Sequence, residues 1–132
     1  MKIANLESIT PDETARLEAA NVGTTDDLLG RAATAETLAG LAARTGMDPQ
    51  TIARLFRMAD LMRIAGINEP HTLLLDALNI RSAAELAAQD ATALIKAMRR
   101  KNVEILVVRG MPPESTVARW ISDAKALPAA RP

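Results

Sequence analysis

Cysteine and tyrosine are absent from this chain of 132 residues, which has one histidine and only two aromatic residues, Phe56 and Trp120. Without cysteine the chain has no disulfide, no thiolate metal site and no cysteine nucleophile. A single histidine also excludes metal sites built from several imidazoles. Because aromatic side chains are so few, the core must be built from Leu, Ile, Val, Met and Ala.

An excess of either charge is also absent. Sixteen Lys and Arg balance sixteen Asp and Glu, so the formal net charge is zero. Proteins that hold nucleic acid through a bulk positive field are usually strongly basic, and this sequence does not belong to that class. Residues 1–58 hold six basic and eight acidic residues and residues 59–132 hold ten and eight, so the halves differ in net charge, −2 against +2.

Long apolar runs are missing as well. The longest, at residues 105–108, is far shorter than the roughly 20 residues that span a bilayer, and the N-terminus with Glu7 does not resemble a signal peptide. We therefore expect a cytoplasmic protein that does not contact membranes. No Gly-rich phosphate loop, serine-nucleophile motif or metal-ligand spacing is present. We expect neither enzymatic activity nor a cofactor.

The sequence contains an internal repeat. A shift of 58 residues lays the first part of the chain over the second without a gap, and the pairs Leu17/Leu75 and Asn21/Asn79 fall at core and helix-end positions. The offset grows in the later part, which indicates a short insertion near residues 100–109. The sequence therefore predicts a duplication of one unit of about 60 residues.

The capping residues and prolines of the sequence are those that begin and end helices. Thr10 precedes Pro11 and is followed by Glu13, which is a capping box with proline in the first turn. Comparable signals predict helices that begin after Thr10, Thr24, Thr34, Asp48, Asn68, Ser82 and Asp90 and at Pro113. The long helix after Asp48 is expected to cover residues 49–64, and the helix after Asp90 is expected to end near Arg100.

Four turns have a small residue, an apolar residue and then a cap, at residues 8–10, 46–48, 66–68 and 110–112. Such turns between short helices are typical of helix-hairpin-helix units. We therefore expect an all-α fold of two tandem double helix-hairpin-helix (SAM-like) units, residues 1–62 and 61–127. The two units should share one long central helix and pack as one compact domain. Residues 128–132 should form a frayed tail.

Three stretches resemble the bacterial domain-of-unknown-function family numbered 4332. They are residues 59–67, the spaced residues Leu74-Leu75, Asn79-Ile80 and Glu85-Leu86-Ala87, and residues 119–125. The resemblance covers residues 3–127 and implies the helix-hairpin-helix architecture. That broader class implies binding of DNA backbone without sequence preference. In that class, a Gly-apolar-Gly turn presents N–H groups at a helix N-terminus to a phosphate.

The hairpins of this chain depart from that pattern. Their third position is never glycine, and a capping side chain there would occupy the N–H groups that a phosphate needs. The least altered hairpin is Gly66-Ile67-Asn68. A backbone-binding site would combine it with the basic residues Lys96, Arg99, Arg100, Lys101 and Arg109. The alternative explanation of these cations is a helix C-terminus, where positive charge favours the helix dipole.

A further segment, residues 103–108, is rich in β-branched side chains and should be extended. It is either an apolar lid packed on the helices or a patch for a partner. The candidate interface residues are Val103, Ile105, Leu106, Val107 and Val108. Trp120 is expected in the core. His71 is expected at the surface or beside a helix cap.

Two functions from different classes follow. The first is a non-catalytic protein-interaction or adaptor module, which binds an unidentified protein partner or self-associates through helix faces and residues 103–108. The second is weak, sequence-independent binding of DNA or RNA backbone through the Gly66 hairpin and the basic residues 96–101. The balanced charge and the capped hairpins favour the first function.

Overall fold

The computed structural model describes residues 1–128, and within them the chain is all-helical. A short 3₁₀ turn at Ile3–Asn5 precedes α1 (Pro11–Ala19), α2 (Thr25–Arg31), α3 (Ala35–Thr45), α4 (Pro49–Leu61), α5 (Glu69–Ala77), α6 (Ala83–Ala87), α7 (Ala91–Ile105) and α8 (Glu114–Ala126). Over the same residues no strand forms, and only an isolated bridge joins Lys2 to Thr24. The all-α class predicted from the sequence is confirmed.

The chain divides into two compact units, Met1–Asp60 (unit 1) and a second that begins at Leu61 (unit 2). The division falls at the end of α4, so this helix counts almost entirely with unit 1. α4 ends at Leu61, and the prediction that it continues to residue 64 is wrong. The amide of Ile64 donates to the carbonyl of Leu61 at 3.1 Å, so a tight turn replaces the next helical hydrogen bond.

Unit 1 has an aliphatic core, as the scarcity of aromatic residues requires. α1 and α2 pack on α3. The N-terminus is fixed by two backbone hydrogen bonds, from Ile3 to Gly23 at 2.9 Å and from Thr25 to Met1 at 2.8 Å. The apolar side chains with no solvent exposure are Ile3, Leu17, Val22, Leu28, Ala32, Ile52 and Leu55.

In unit 2, α8 packs on both α6 and α7, and α5 packs on α7. The core includes Leu74, Leu75, Leu86, Ile95, Met98, Val117 and Trp120. Trp120 is only 1 % exposed, which confirms its predicted place in the core. The tail predicted to fray at residues 128–132 lies, beyond Pro128, outside the described residues. The carbonyl of Pro128 itself accepts a hydrogen bond from Arg63 at 3.0 Å.

The helix starts follow the capping signals of the sequence. The capping box of α1 is complete: the amide of Glu13 donates to the Thr10 hydroxyl at 3.1 Å, and the amide of Thr10 donates to the Glu13 carboxylate at 2.9 Å. The Asp90 carboxylate accepts from the amide of Ala93 at 2.9 Å at the start of α7. These bonds satisfy amides that a helix N-terminus leaves without partners.

The turn after α1 matches the turn after α5. Asn21 and Asn79 both adopt the left-handed conformation, with φ of 64° and 62°. The amide of Val22 then donates to the carbonyl of Leu17, and the amide of Ile80 donates to the carbonyl of Leu75, both at 2.9 Å. Asparagine tolerates this backbone better than most residues do. The matched turns support the duplication, which stays a prediction from the sequence.

Candidate functional site

α7 continues beyond its predicted end. It covers 15 residues and ends at Ile105, so the end expected near Arg100 is wrong. The extended conformation expected from residue 103 onward is also wrong as far as Ile105. β-branched side chains disfavour a helix by less than about 1 kcal/mol each. Adding a residue to an existing helix gains a backbone hydrogen bond, which outweighs that preference here.

Leu106 ends α7 in an unusual backbone conformation. Its φ is 50° and its ψ is 45°, which is the left-handed region, and its amide donates to the carbonyl of Asn102 at 2.8 Å. This conformation is uncommon for a bulky residue without a polar side chain and costs about 1–3 kcal/mol. α3 of unit 1 ends in the same conformation, but there the residue is Gly46, with φ of 72°.

The side chain of Asn102 holds the turn that follows. Its Nδ2 donates to the carbonyl of Val108 at 2.8 Å, and its Oδ1 accepts from the amides of Val107 at 3.1 Å and Val108 at 3.0 Å. One amide group thus satisfies three backbone groups and fixes the chain on both sides of Leu106. Asn102 is not among the residues predicted from the sequence. The signal that could have found it is an asparagine near a helix end, where its side chain binds nearby backbone groups.

The structure separates the candidate interface residues 103–108 into two groups. Val107 is partly buried and Val108 is 7 % exposed, and both pack against the core of unit 2, as the lid interpretation expects. Val103 is 76 % exposed, Ile105 is 39 % exposed and Leu106 is 78 % exposed. We refer to these three side chains as the apolar tip. Large apolar side chains exposed this close along the chain are a candidate interaction surface.

Three basic residues line the exposed side of α7 beside the tip. Lys96, Arg99 and Arg100 are exposed, and we call them the basic face. Arg99 and Arg100 lie about one helical turn before Val103, and Lys96 lies two turns before it. All four residues therefore share one side of the helix. Lys101 lies on a different side and forms an ion pair with Glu104 at 2.9 Å.

Position within the helix excludes one explanation of the basic face. The sequence placed these cations at a helix C-terminus, but Arg100 lies five residues before Ile105, and the last turn of α7 contains no basic residue. The dipole effect is confined to the last turn. Within residues 1–128 none of the three cations has an acidic partner. Arg109, the remaining candidate cation, is exposed beyond the turn.

The Gly66 hairpin is closed by its own neighbours. Gly66 has φ of 93°, and a Cβ atom there would lie 3.0 Å from Nη2 of Arg119 and 3.2 Å from Nε1 of Trp120. The fold therefore requires glycine at this position. The amide of Ile67 donates to the carbonyl of Ile64 at 3.2 Å, and the amide of Asn68 donates to Nδ1 of His71 at 3.0 Å. Two amides that a phosphate would use already have acceptors.

His71 has the cap-adjacent role that the sequence predicts. It accepts the Asn68 amide hydrogen bond through Nδ1, which requires that nitrogen to be unprotonated. Burial lowers the pKa of His71 below its ordinary value of 6.5. The imidazole ring lies 5.0 Å from the Trp120 ring, measured between centroids. Together these contacts make His71 a structural residue of unit 2.

Residues 1–128 also lack two features. No group of three or more histidine or acidic side chains is arranged to hold a metal ion in this part of the chain. Among the same residues, no helix combines the length and the apolar composition needed to cross a membrane.

Comparison with known proteins adds the family. The family model described as "Domain of unknown function (DUF4332)" matches residues 7–127. The chain belongs to this family. The resemblance seen in three stretches of the sequence is thereby confirmed over nearly the whole chain. No curated protein and no solved structure matches the chain. The exposed residues of this DUF4332 protein are therefore the basis for proposing a function.

Proposed function

We propose that this chain is a non-catalytic helix-hairpin-helix module that binds a protein partner through the apolar tip of α7. The observation that carries the proposal is Leu106, which combines a left-handed backbone with a side chain that is mostly in solvent. An exposed leucine adds nothing to the core, and glycine would adopt this backbone at lower cost. A residue that costs stability without serving the fold is best explained by a role in binding.

The helix-hairpin-helix interpretation is supported by the turns between helices. In this arrangement the middle apolar residue of each hairpin points between the two helices and fixes their angle. Met47 and Ile67 are buried, and Ile9 and Met111 are partly buried. The hairpins therefore act as internal joints, and the tip of α7 remains as the surface for a partner.

Binding of nucleic-acid backbone is the second candidate, and the basic face favours it because its cations have no acidic partner within residues 1–128. Two features weigh against it. Phe56 and Trp120 are both buried, so neither offers a surface on which bases could stack. Val103 lies in line with the basic face, and an exposed valine is of more use to a protein partner than to a phosphate backbone.

A retention experiment with matched variants tests the first candidate. Wild type, Leu106→Gly and Leu73→Ser are immobilised, and the proteins retained from a lysate of the source cells are quantified. Leu73 is a 38 % exposed leucine on α5 and serves as the control. Burying a leucine contributes about 1.5–3 kcal/mol, so Leu106→Gly should lower partner affinity about tenfold or more. Equal retention of the partner by all three proteins would contradict the proposal.

Fluorescence anisotropy with labelled duplex and single-stranded DNA tests the second candidate. Backbone binding through the basic face would give a Kd on the order of 1–100 µM at physiological salt and would tighten at lower salt. We expect no binding in this range. Salt-dependent binding that is lost when Lys96, Arg99 and Arg100 are changed to Ala would establish nucleic-acid binding. If Leu106→Gly left such binding unchanged, the tip would have no part in it.

A further inference from the structure

We propose that the partner of the apolar tip is a second copy of this chain, whose unit 1 receives the tip in a groove beside α1. The inference rests on the proposed function, because it names the occupant of the same surface. It rests in addition on the shape and charge of unit 1, which the proposed function does not use.

The groove lies between α1 and the N-terminal segment. It has a volume of about 300 Å³ and is lined by Ala4, Ile9, Pro11, Thr14, Ala15 and Glu18. A cavity of about 150 Å³ lined by apolar side chains can hold a benzene molecule. The groove, which is open to solvent on one side, therefore has room for the Leu106 side chain. Its floor is mostly apolar, so this side chain would leave water on docking.

The charges of the two units are complementary. Residues 1–60 hold six basic and nine acidic residues, a net charge of −3, and residues 61–128 hold nine and seven, a net charge of +2. At the groove, Asp12 pairs with Arg16 at 2.8 Å, whereas Glu18 has no ion pair within residues 1–128. The Glu18 carboxylate thus lines the groove, and the three cations of the basic face lie beside the tip. Such complementarity guides association and selects the partner.

The placement of the two surfaces determines the kind of assembly. A projecting tip on one unit and a groove on the other form a heterologous contact, which joins copies head to tail and builds a ring or an open chain. A symmetric contact between two tips would instead bring Lys96, Arg99 and Arg100 of both copies together. Like charges at an interface act against that arrangement.

Sedimentation velocity of the purified full chain tests self-association directly. The sample is treated with nuclease so that nucleic acid cannot bridge copies. We expect the sedimentation coefficient to rise with protein concentration and the rise to weaken at high salt, because salt screens the charges at the edge of the contact. A single monomeric species up to the highest soluble concentration would overturn the inference. The proposed function would then depend on the retention experiment alone.

Two variants separate the tip from the groove. Leu106→Gly removes the tip, and Ala15→Phe fills the groove at an exposed position of α1. Each variant alone should be monomeric, with a dissociation constant for self-association raised about tenfold or more. An equimolar mixture should form a dimer that does not grow further, because it contains one intact groove and one intact tip. Leu73→Ser, the control, should assemble like the wild type.

The remaining outcomes assign the failure to one proposal or the other. If Ala15→Phe assembles like the wild type and Leu106→Gly does not, the tip has another occupant, so the inference is overturned while the proposed function stands. If Leu106→Gly assembles like the wild type, the tip is not the contact, and the inference is overturned together with its basis. Leu106→Asn provides a second tip variant, since asparagine also tolerates the left-handed backbone.

Discussion

Helix α3 in unit 1 and helix α7 in unit 2 both end at a residue in the left-handed backbone conformation, but the residue differs. At the end of α3 the left-handed residue is Gly46, and the guanidinium of Arg16 covers it while donating to the carbonyl of Thr45 at 2.9 Å. At the end of α7 the left-handed residue is Leu106, and its side chain is exposed. The comparison indicates that the first turn only closes a helix, whereas the second also presents a side chain.

Replacing Gly46 of unit 1 with leucine, the residue type that unit 2 has at this turn, should have the largest effect on stability. Gly46→Leu adds a Cβ atom 2.8 Å from Nη1 of Arg16 and forces a leucine into the left-handed region. Arg16 must then leave Thr45. We expect the free energy of unfolding to fall by about 2–3 kcal/mol. Urea unfolding followed by circular dichroism measures it, and a variant as stable as the wild type would show that the two turns are interchangeable.

Removing the side chain that fixes the second turn should have the next largest effect. Asn102→Ala deletes three hydrogen bonds to Val107 and Val108 and should cost about 2 kcal/mol. Asn102→Asp is the matched variant, because it retains the acceptor for the two amides but replaces the donor by an oxygen that faces the Val108 carbonyl oxygen. Two acceptors repel each other, so this variant should lose at least as much stability as Asn102→Ala. An Asn102→Asp variant as stable as the wild type in urea unfolding would argue against this description of the turn.

Replacing Leu106 of unit 2 with glycine, the residue type that unit 1 has at this turn, should have a smaller effect on stability and of opposite sign. Leu106→Gly relieves the left-handed leucine, and we expect the free energy of unfolding to rise by about 1 kcal/mol. The fluorescence of Trp120, the only tryptophan of the chain, follows the unfolding of unit 2. A loss of stability would mean that Leu106 supports the fold, and the main argument for its role in binding would disappear.

The smallest effect should come from His71, whose counterpart in unit 1 is Glu13, the side chain that accepts the Thr10 amide hydrogen bond. Because burial lowers its pKa in the folded state below 6.5, the unfolded chain binds a proton at higher pH than the folded chain does. Its contribution to stability is present above pH 6.5 and is lost as the pH falls below that value. Urea midpoints at pH 7.5 and 5.5 should therefore differ more for wild type than for His71→Gln.

Gln at position 71 is the matched control for this titration, because its side chain can still accept the Asn68 amide hydrogen bond and does not titrate. An equal change of midpoint in wild type and His71→Gln would assign the pH dependence to other groups.

Helix starts could be predicted from the sequence more reliably than helix ends. A capping box is local, so Thr10 and Glu13 were sufficient to predict the start of α1. The end of α7 depends on Asn102, whose side chain reaches residues five and six positions further along the chain. β-propensity at Val103 therefore gave the wrong conformation, and the basic residues were wrongly assigned to a helix end.

The candidate site could be predicted only in part, because some of its features are local in the sequence and others arise only on folding. Val103, Ile105 and Leu106 stand out in the sequence as a surplus apolar segment, and the structure exposes them. Val107 and Val108 belong to the same segment, but only the fold shows that they pack on the core. The groove beside α1 could not be predicted, because Ala4, Ile9 and Ala15 come together only when the N-terminal segment packs against α1.

The complementarity of the two units is tested most directly by sedimentation velocity of an equimolar mixture of Leu106→Gly and Ala15→Phe, with each variant alone as the control. The account predicts two monomeric variants that form a dimer of fixed size when mixed. A mixture that stays monomeric while the wild type assembles, or variants that assemble alone as the wild type does, would contradict it.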